Sequence, residues 1–160
     1  MQAKKRFGQN FLTDKKLLED LVSLINVSSR DKFLEIGPGK GDLTENLINI
    51  CGSYFGVEVD KILLVFLRNK FPKNKKAFID GDILKLNPSE IYASNEFRVV
   101  GNIPYNISSP ILDWCEKHYE KIYDMHFMLQ KEFALRCAGN ERTSSYGKLS
   151  VICNYLYAVS

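Results

Sequence analysis

A chain of 160 residues with 45% hydrophobic and 26% charged side chains has the size and balance of one soluble domain able to bury a core. The formal charge of +3 is modest but unevenly placed: Lys4, Lys5, Arg6, Lys15 and Lys16 load the N-terminus, and Lys70, Lys73, Lys75 and Lys76 crowd a second stretch, a pattern compatible with a polyanionic partner. No run reaches membrane-spanning length, no apolar signal core follows the N-terminus, and Cys51, Cys115, Cys137 and Cys153 form no C-x-x-C pair with histidines in zinc spacing, so a reduced, cytosolic, non-membrane protein without a metal site is expected.

Residues 1–16 set basic side chains around the apolar pieces Phe7 and Phe11-Leu12, an arm expected to dock on the domain. Thr13 or Asp14 is placed to cap a helix from Lys15 to Ile25, in which Leu17, Leu18, Leu21, Val22 and Ile25 recur at helical spacing. The run from Lys32 to Ile36 then reads as a strand entering Gly37-Pro38-Gly39-Lys40-Gly41-Asp42, followed by the helical pattern Leu43, Leu47, Ile48. A strand, a Gly-rich turn and a helix N-terminus open a nucleotide-binding βα unit, because glycines let backbone approach a ligand and the helix start offers unpaired N–H groups. The spacing is G-x-G-x-G, neither the G-x-G-x-x-G of dinucleotide sites nor a P-loop, so a cofactor without phosphates such as S-adenosylmethionine fits at least as well as NAD.

A second strand, residues 54–59, ends at Glu58 and Asp60. A carboxylate there is placed to accept from ribose hydroxyls; Glu58 suits that role, and Asp60 suits the cap of a helix from Lys61 to Asn69. After the third strand, Ala77 to Ile79, Asp82 is placed to accept from an adenine amine, with Ile83 as an apolar wall. Asp80 and Asp82 alone do not make a Mg²⁺ or Ca²⁺ cage. The fourth strand, Phe97 to Val100, runs into Gly101-Asn102-Ile103-Pro104-Tyr105. In an open α/β sheet ligands sit beyond the carboxyl ends of the strands. Asn102 there offers an acceptor and a donor, Pro104 a stiffened backbone and a carbonyl, and Tyr105 a flat face for a nucleobase. Ser109 reads as the cap and Pro110 as the first residue of the next helix. A fifth strand from Tyr123 to Leu129, a helix from Lys131 to Ala138 and an apolar segment from Leu149 to Leu156 follow. His118 ends a helix, where a charged imidazole is mildly favourable, and His126 alternates within the fifth strand; neither reads as a catalyst.

Taken jointly, RFGQNFL at 6–12, LEIGPGKGDLT at 34–44, VEVD at 57–60, GDIL at 81–84, GNIPYNISSPIL at 101–112, LQKEFALR at 129–136 and YGKLSV at 146–151 resemble the ribosomal RNA adenine N6,N6-dimethyltransferases over essentially the whole chain. The resemblance implies an α/β fold, the Rossmann-like class I S-adenosylmethionine-dependent methyltransferase with a doubly wound, mostly parallel sheet. It implies an arm and helix over residues 1–30 packing on the cofactor site and a methyltransferase domain over 31–160. Asn10, Leu12, Gly37, Gly39, Glu58, Asp82, Ile83 and Asn102 would hold S-adenosylmethionine. Asn102, Pro104 and Tyr105 would act on an adenine flipped out of small-subunit (16S) ribosomal RNA, dimethylating two adjacent adenosines during ribosome biogenesis. The sister family acting on large-subunit (23S) RNA shares QNF, the Gly-rich turn and NIPY, and is the alternative.

The family continues with further strands and a small helical domain, so the chain is expected to be truncated, to expose a sheet edge prone to dimerisation, and to be a monomer when full length. A nicotinamide-dependent oxidoreductase, a non-catalytic ribosome-binding module and a DNA adenine methyltransferase are the competing readings.

Overall fold

The computed structural model describes residues 15–93 and 96–159. Five strands, β1 (Lys32–Ile36), β2 (Ser53–Glu58), β3 (Phe78–Asp80), β4 (Phe97–Asn102) and β5 (Ile122–Met128), form one sheet in the order β3-β2-β1-β4-β5. Every pairing is parallel. The chain winds outward from β1 to β3, then returns to the other side of β1 for β4 and β5. The switch point therefore lies between β1 and β4, where such sheets open a crevice beyond their carboxyl ends.

Both faces are covered, which is why the strands read as apolar runs rather than as clean alternations. On one face Leu34, Ile36, Val57 and Val99 pack with Ile103, Trp114 and Ile111, the last two from α4 (Ser108–Lys117). On the other face Phe33, Tyr54, Phe78 and Val100 meet Leu47 of α2 (Thr44–Leu47) and Leu64 and Leu67 of α3 (Lys61–Lys70). Leu18, Leu21, Val22 and Ile25 of α1 (Lys15–Ile25) join that second layer. Leu17, expected on the same apolar face, is 48% exposed. Asn26, in the left-handed region at φ 48°, ends α1 as a short polar residue can. Two further helices, α5 (Lys131–Cys137) and α6 (Lys148–Leu156), pack through Phe133, Cys137 and Cys153; the final apolar segment is thus helical.

A buried cation ties the N-terminal end of the sheet together. Arg98 Nε and Nη2 donate to the two carboxylate oxygens of Asp124 at 2.8 Å each, Nη1 pairs with Asp31 at 2.9 Å, and Nη2 also donates to the Ile25 carbonyl. One guanidinium therefore joins the end of α1, the entry to β1, and strands β4 and β5. Burial opposes ionisation of Asp124, but hydrogen bonds to His126 and Arg98 prevail and draw its carboxyl down to about 2. His126 belongs to this network, as a face residue, through Asp124 and Arg98.

Two local expectations are overturned. The helix after the NIPY loop starts at Ser108, with Ile107 at the cap position and no side-chain cap bond, so Ser109 is not the cap and Pro110 falls inside the first turn. Pro is tolerated there because the first N–H groups of a helix have no intrahelical partner. His118 is not held charged: burial, then the neighbouring Lys117 and Lys121, push its pKa down. Among the described residues no helix is long and apolar enough to cross a membrane, and no group of acids, cysteines and histidines is disposed to hold a metal. The Thr13 or Asp14 cap lies outside the described residues.

Candidate active site

The carboxyl ends of β1, β2, β4 and β5 surround a cleft of about 320 Å³. Of the residues singled out from the sequence, Gly37, Gly39, Glu58, Asp82, Ile83, Asn102 and Pro104 all line it. Tyr105 follows directly in the short 3-10 turn Tyr105–Ile107 with 60% of its surface exposed. Asn10 and Leu12 lie outside the described residues.

The glycine turn is built by backbone geometry that other residues resist. Gly37 and Gly41 sit at φ 60° and 79°, and a Cβ at Gly41 would lie 2.8 Å from the Phe71 ring. This close approach lets α3 pack beneath the turn. Above it, Gly39 N–H donates to Glu58 Oε2 at 3.1 Å, stitching the turn to the end of β2. Glu58 Oε1 accepts from Asp60 N–H at 2.9 Å, while Asp60 itself caps α3 by accepting from Ile62 N–H at 2.9 Å. The division of labour expected for these two acids is therefore present on the Asp60 side. Glu58 is 4% exposed, and burial raises its pKa, with the Asp60 and Gly39 amides pulling the other way. A carboxylate offers about four lone-pair positions. The Gly39 and Asp60 amides occupy one on each oxygen.

Asp82 follows β3 and uses Oδ1 to accept from Leu84 N–H at 3.1 Å, starting the 3-10 turn Ile83–Lys85. Its second oxygen is not needed for that cap. Across the cleft, Asn102 closes β4, and Ile103 N–H donates to the Met128 carbonyl at 2.9 Å, which anchors the NIPY loop on β5. The Pro104 carbonyl is engaged within its own loop. It accepts from both Ile107 N–H and Ser108 Oγ–H, each at 3.1 Å, so its two lone pairs are committed inside the loop. No backbone donor among the described residues takes the carbonyl of Ile103, one peptide earlier.

Among the lining residues without a functional assignment from the sequence, Glu35 and Met128 bear most on the chemistry. Glu35, in β1, is 2% exposed, and its Oε2 accepts from Tyr54 Oη at 2.7 Å and Thr44 Oγ1 at 2.8 Å. Burial, only partly offset by those two hydroxyls, pushes its carboxyl up to about 7. An acid two residues before a Gly-rich turn, inside an otherwise apolar strand, was the available signal. Met128 ends β5 directly opposite Asn102 in the ladder. Nothing local marks it.

Comparison with known proteins accords with this geometry. The profile of the family described as "Ribosomal RNA adenine dimethylase" matches residues 1–160. The chain is 42% identical over 158 residues to Ribosomal RNA small subunit methyltransferase A of Wigglesworthia glossinidia brevipalpis, covering 97% of this chain and 60% of that protein. A dimethyladenosine transferase from Plasmodium falciparum superimposes with a TM-score of 0.75 at 26% identity, over 89% of this chain and 51% of that one. The 23S rRNA methyltransferase ErmE gives 0.69 at 30% identity, over 90% and 55%. The chain thus spans about 60% of the length of the curated relatives it matches. Its sheet is that of the Rossmann-like methyltransferases.

Proposed function

The chain belongs to the ribosomal RNA adenine dimethylase family, and from that premise we propose that it supplies the cofactor site and base site of an S-adenosylmethionine-dependent enzyme that dimethylates adenine N6 on two adjacent adenosines of small-subunit (16S) ribosomal RNA. The observation that carries this reading is the junction of two devices in one cleft: a glycine turn fastened to a buried carboxylate at the end of β2, and an Asn-Ile-Pro-Tyr loop fastened to β5.

In this reading Glu58 accepts from the ribose hydroxyls with its remaining lone pairs. Asp82 accepts from the adenine amine of the cofactor, against Ile83. Gly37 and Gly39 let the backbone lie under the methionine portion, and Glu35 supplies negative charge beside the cationic part. Asn10 and Leu12 close over it. When bound, the cofactor supplies a methyl group on a sulfonium, and in transfer an N–C bond forms as a C–S bond breaks with its electron pair left on sulfur. Tyr105 stacks on the extruded base. Asn102 Oδ1 and the Ile103 carbonyl take the two amine hydrogens, which turns the nitrogen lone pair towards the methyl. Pro104 contributes rigidity, since its own carbonyl is occupied. No strong base is required, because the alkylated nitrogen is acidic and sheds its proton; alignment of amine, methyl and sulfur is the main demand. The protein acts as a cytoplasmic monomer on RNA in the small subunit during ribosome biogenesis.

Large-subunit RNA is the second reading, supported by 30% identity to ErmE against 42% to the small-subunit enzymes. Titration calorimetry with S-adenosylmethionine tests the cofactor half. Glu58→Ala should lose at least about tenfold in affinity, since each hydrogen bond to a charged group contributes about 1.5–3 kcal/mol. Labelled methyl transfer by the full-length protein to isolated small subunits, and not to large-subunit RNA, tests the substrate half. Absence of cofactor uptake would end the reading.

A further inference from the structure

The N6 product of this reaction class carries two methyl groups, so the pocket must accept the same nitrogen bare, once methylated and twice methylated. Along β4 the side chains of Arg98, Val100 and Asn102 share one face of the sheet, and their register partners on β5 are Asp124, His126 and Met128. The contacts of Arg98 with Asp124 and His126 fix that these partners project from the same face. Met128 therefore stands beside Asn102 on the neighbouring strand, about 4.8 Å away across the ladder. Both residues line the cleft, and the Ile103 N–H bond to the Met128 carbonyl holds the two strand ends in that register.

We propose that Met128 is a specificity-determining residue that sizes the methyl side of the base pocket and so decides whether the amine receives a second methyl group. The inference rests on the adenine methyltransferase reading above and deepens it. A nitrogen hydrogen-bonded to Asn102 Oδ1 would lie about 3 Å from that atom, in the same cleft that Met128 lines from the neighbouring strand. An unbranched side chain with a polarisable sulfur can shift among rotamers as the occupant grows. A rigid ring in the same place cannot. Room for one methyl or methylene in an apolar pocket discriminates by about 10- to 200-fold, enough to separate the first transfer from the second.

The test is Met128→Phe in the full-length protein, with nucleoside mass spectrometry measuring N6-methyladenosine and N6,N6-dimethyladenosine as turnover proceeds on small subunits. The second transfer should slow at least about tenfold relative to the first, so that the singly methylated nucleoside accumulates. Met128→Leu, close in volume, should restore the doubly methylated product, and Met128→Ala should never increase the singly methylated share. S-adenosylmethionine affinity by calorimetry reports whether each variant is folded. A Phe variant that binds cofactor normally yet keeps the wild-type product ratio overturns the assignment. So does a uniform fall in both transfers across Phe and Ala, which would leave Met128 only its backbone role. Wild-type protein that binds cofactor but methylates no adenosine sinks the parent reading instead, and the assignment with it.

Discussion

Replacing Glu35 with glutamine should stabilise this protein at alkaline pH and scarcely alter it in mild acid. The carboxyl is buried in β1 under α2, with two hydroxyl donors on one oxygen, and burial raises its pKa from 4.5 to about 7. The nearby acids Glu58 and Asp42 push in the same direction. Because the folded-state value lies above the unfolded one, the native protein holds a proton between pH 4.5 and about 7 that the unfolded chain has released. Stability is consequently lost as pH rises through that window, by an amount of the order of 3 kcal/mol once pH 8 is reached. Glutamine keeps an oxygen to accept from Tyr54 and Thr44 and carries no charge to desolvate. For a domain of this size 1 kcal/mol moves Tm by about 2–4 °C. Glu35→Gln should therefore raise Tm by roughly 6–12 °C at pH 8 and by less than about 2 °C at pH 4.5, read by scanning calorimetry at both pH values. A fall in Tm at pH 8, or an equal gain at both, would refute the reasoning. A substitution that stabilises the fold while weakening the site marks a group that serves function at the expense of stability, so the same variant should bind S-adenosylmethionine more weakly at pH 8.

If Glu35 faces the cationic cofactor, binding near pH 6 should expel up to about one proton, seen as a dependence of the calorimetric enthalpy on the ionisation enthalpy of the buffer; equal enthalpies across buffers would exclude the coupling. Tyr105→Ala should leave cofactor affinity unaltered but cut methyl transfer to RNA by about 5- to 150-fold, the worth of about 1–3 kcal/mol in stacking one base; an equal loss of cofactor binding would assign the ring to the fold instead. Arg98→Met should cost about 3–5 kcal/mol by leaving Asp31 and Asp124 partly buried without their cation, detectable as a drop in the urea midpoint with the slope unchanged. Wild-type protein should also lose stability as pH falls from the ordinary carboxylate range towards about 2, where Asp124 takes its proton.

What the sequence disclosed was whatever could be encoded by neighbours. The glycine turn, the Asp60 cap and the whole length of α1 follow from residues within a few positions of one another, and all stand in the structure as the spacing implied. The cap of α4 did not, although its signal was equally local. The Pro104 carbonyl draws Ile107 N–H and Ser108 Oγ–H back towards the loop, and the helix then starts one residue before the Ser-Pro pair that advertised it. More telling are Glu35, whose ionisation depends on Thr44 and Tyr54 at separations of 9 and 19 residues, and Arg98, whose partners lie 26, 67 and 73 residues away. A parallel sheet requires a crossover between paired strands, so residues that face each other across its ladder are always remote in the chain. Motif reading accordingly finds the loops that touch ligands and misses the strand neighbours that set their charge and room. Glu35 and Met128 are both neighbours of that kind: one is buried against Thr44 and Tyr54, and the other stands opposite Asn102 in the ladder.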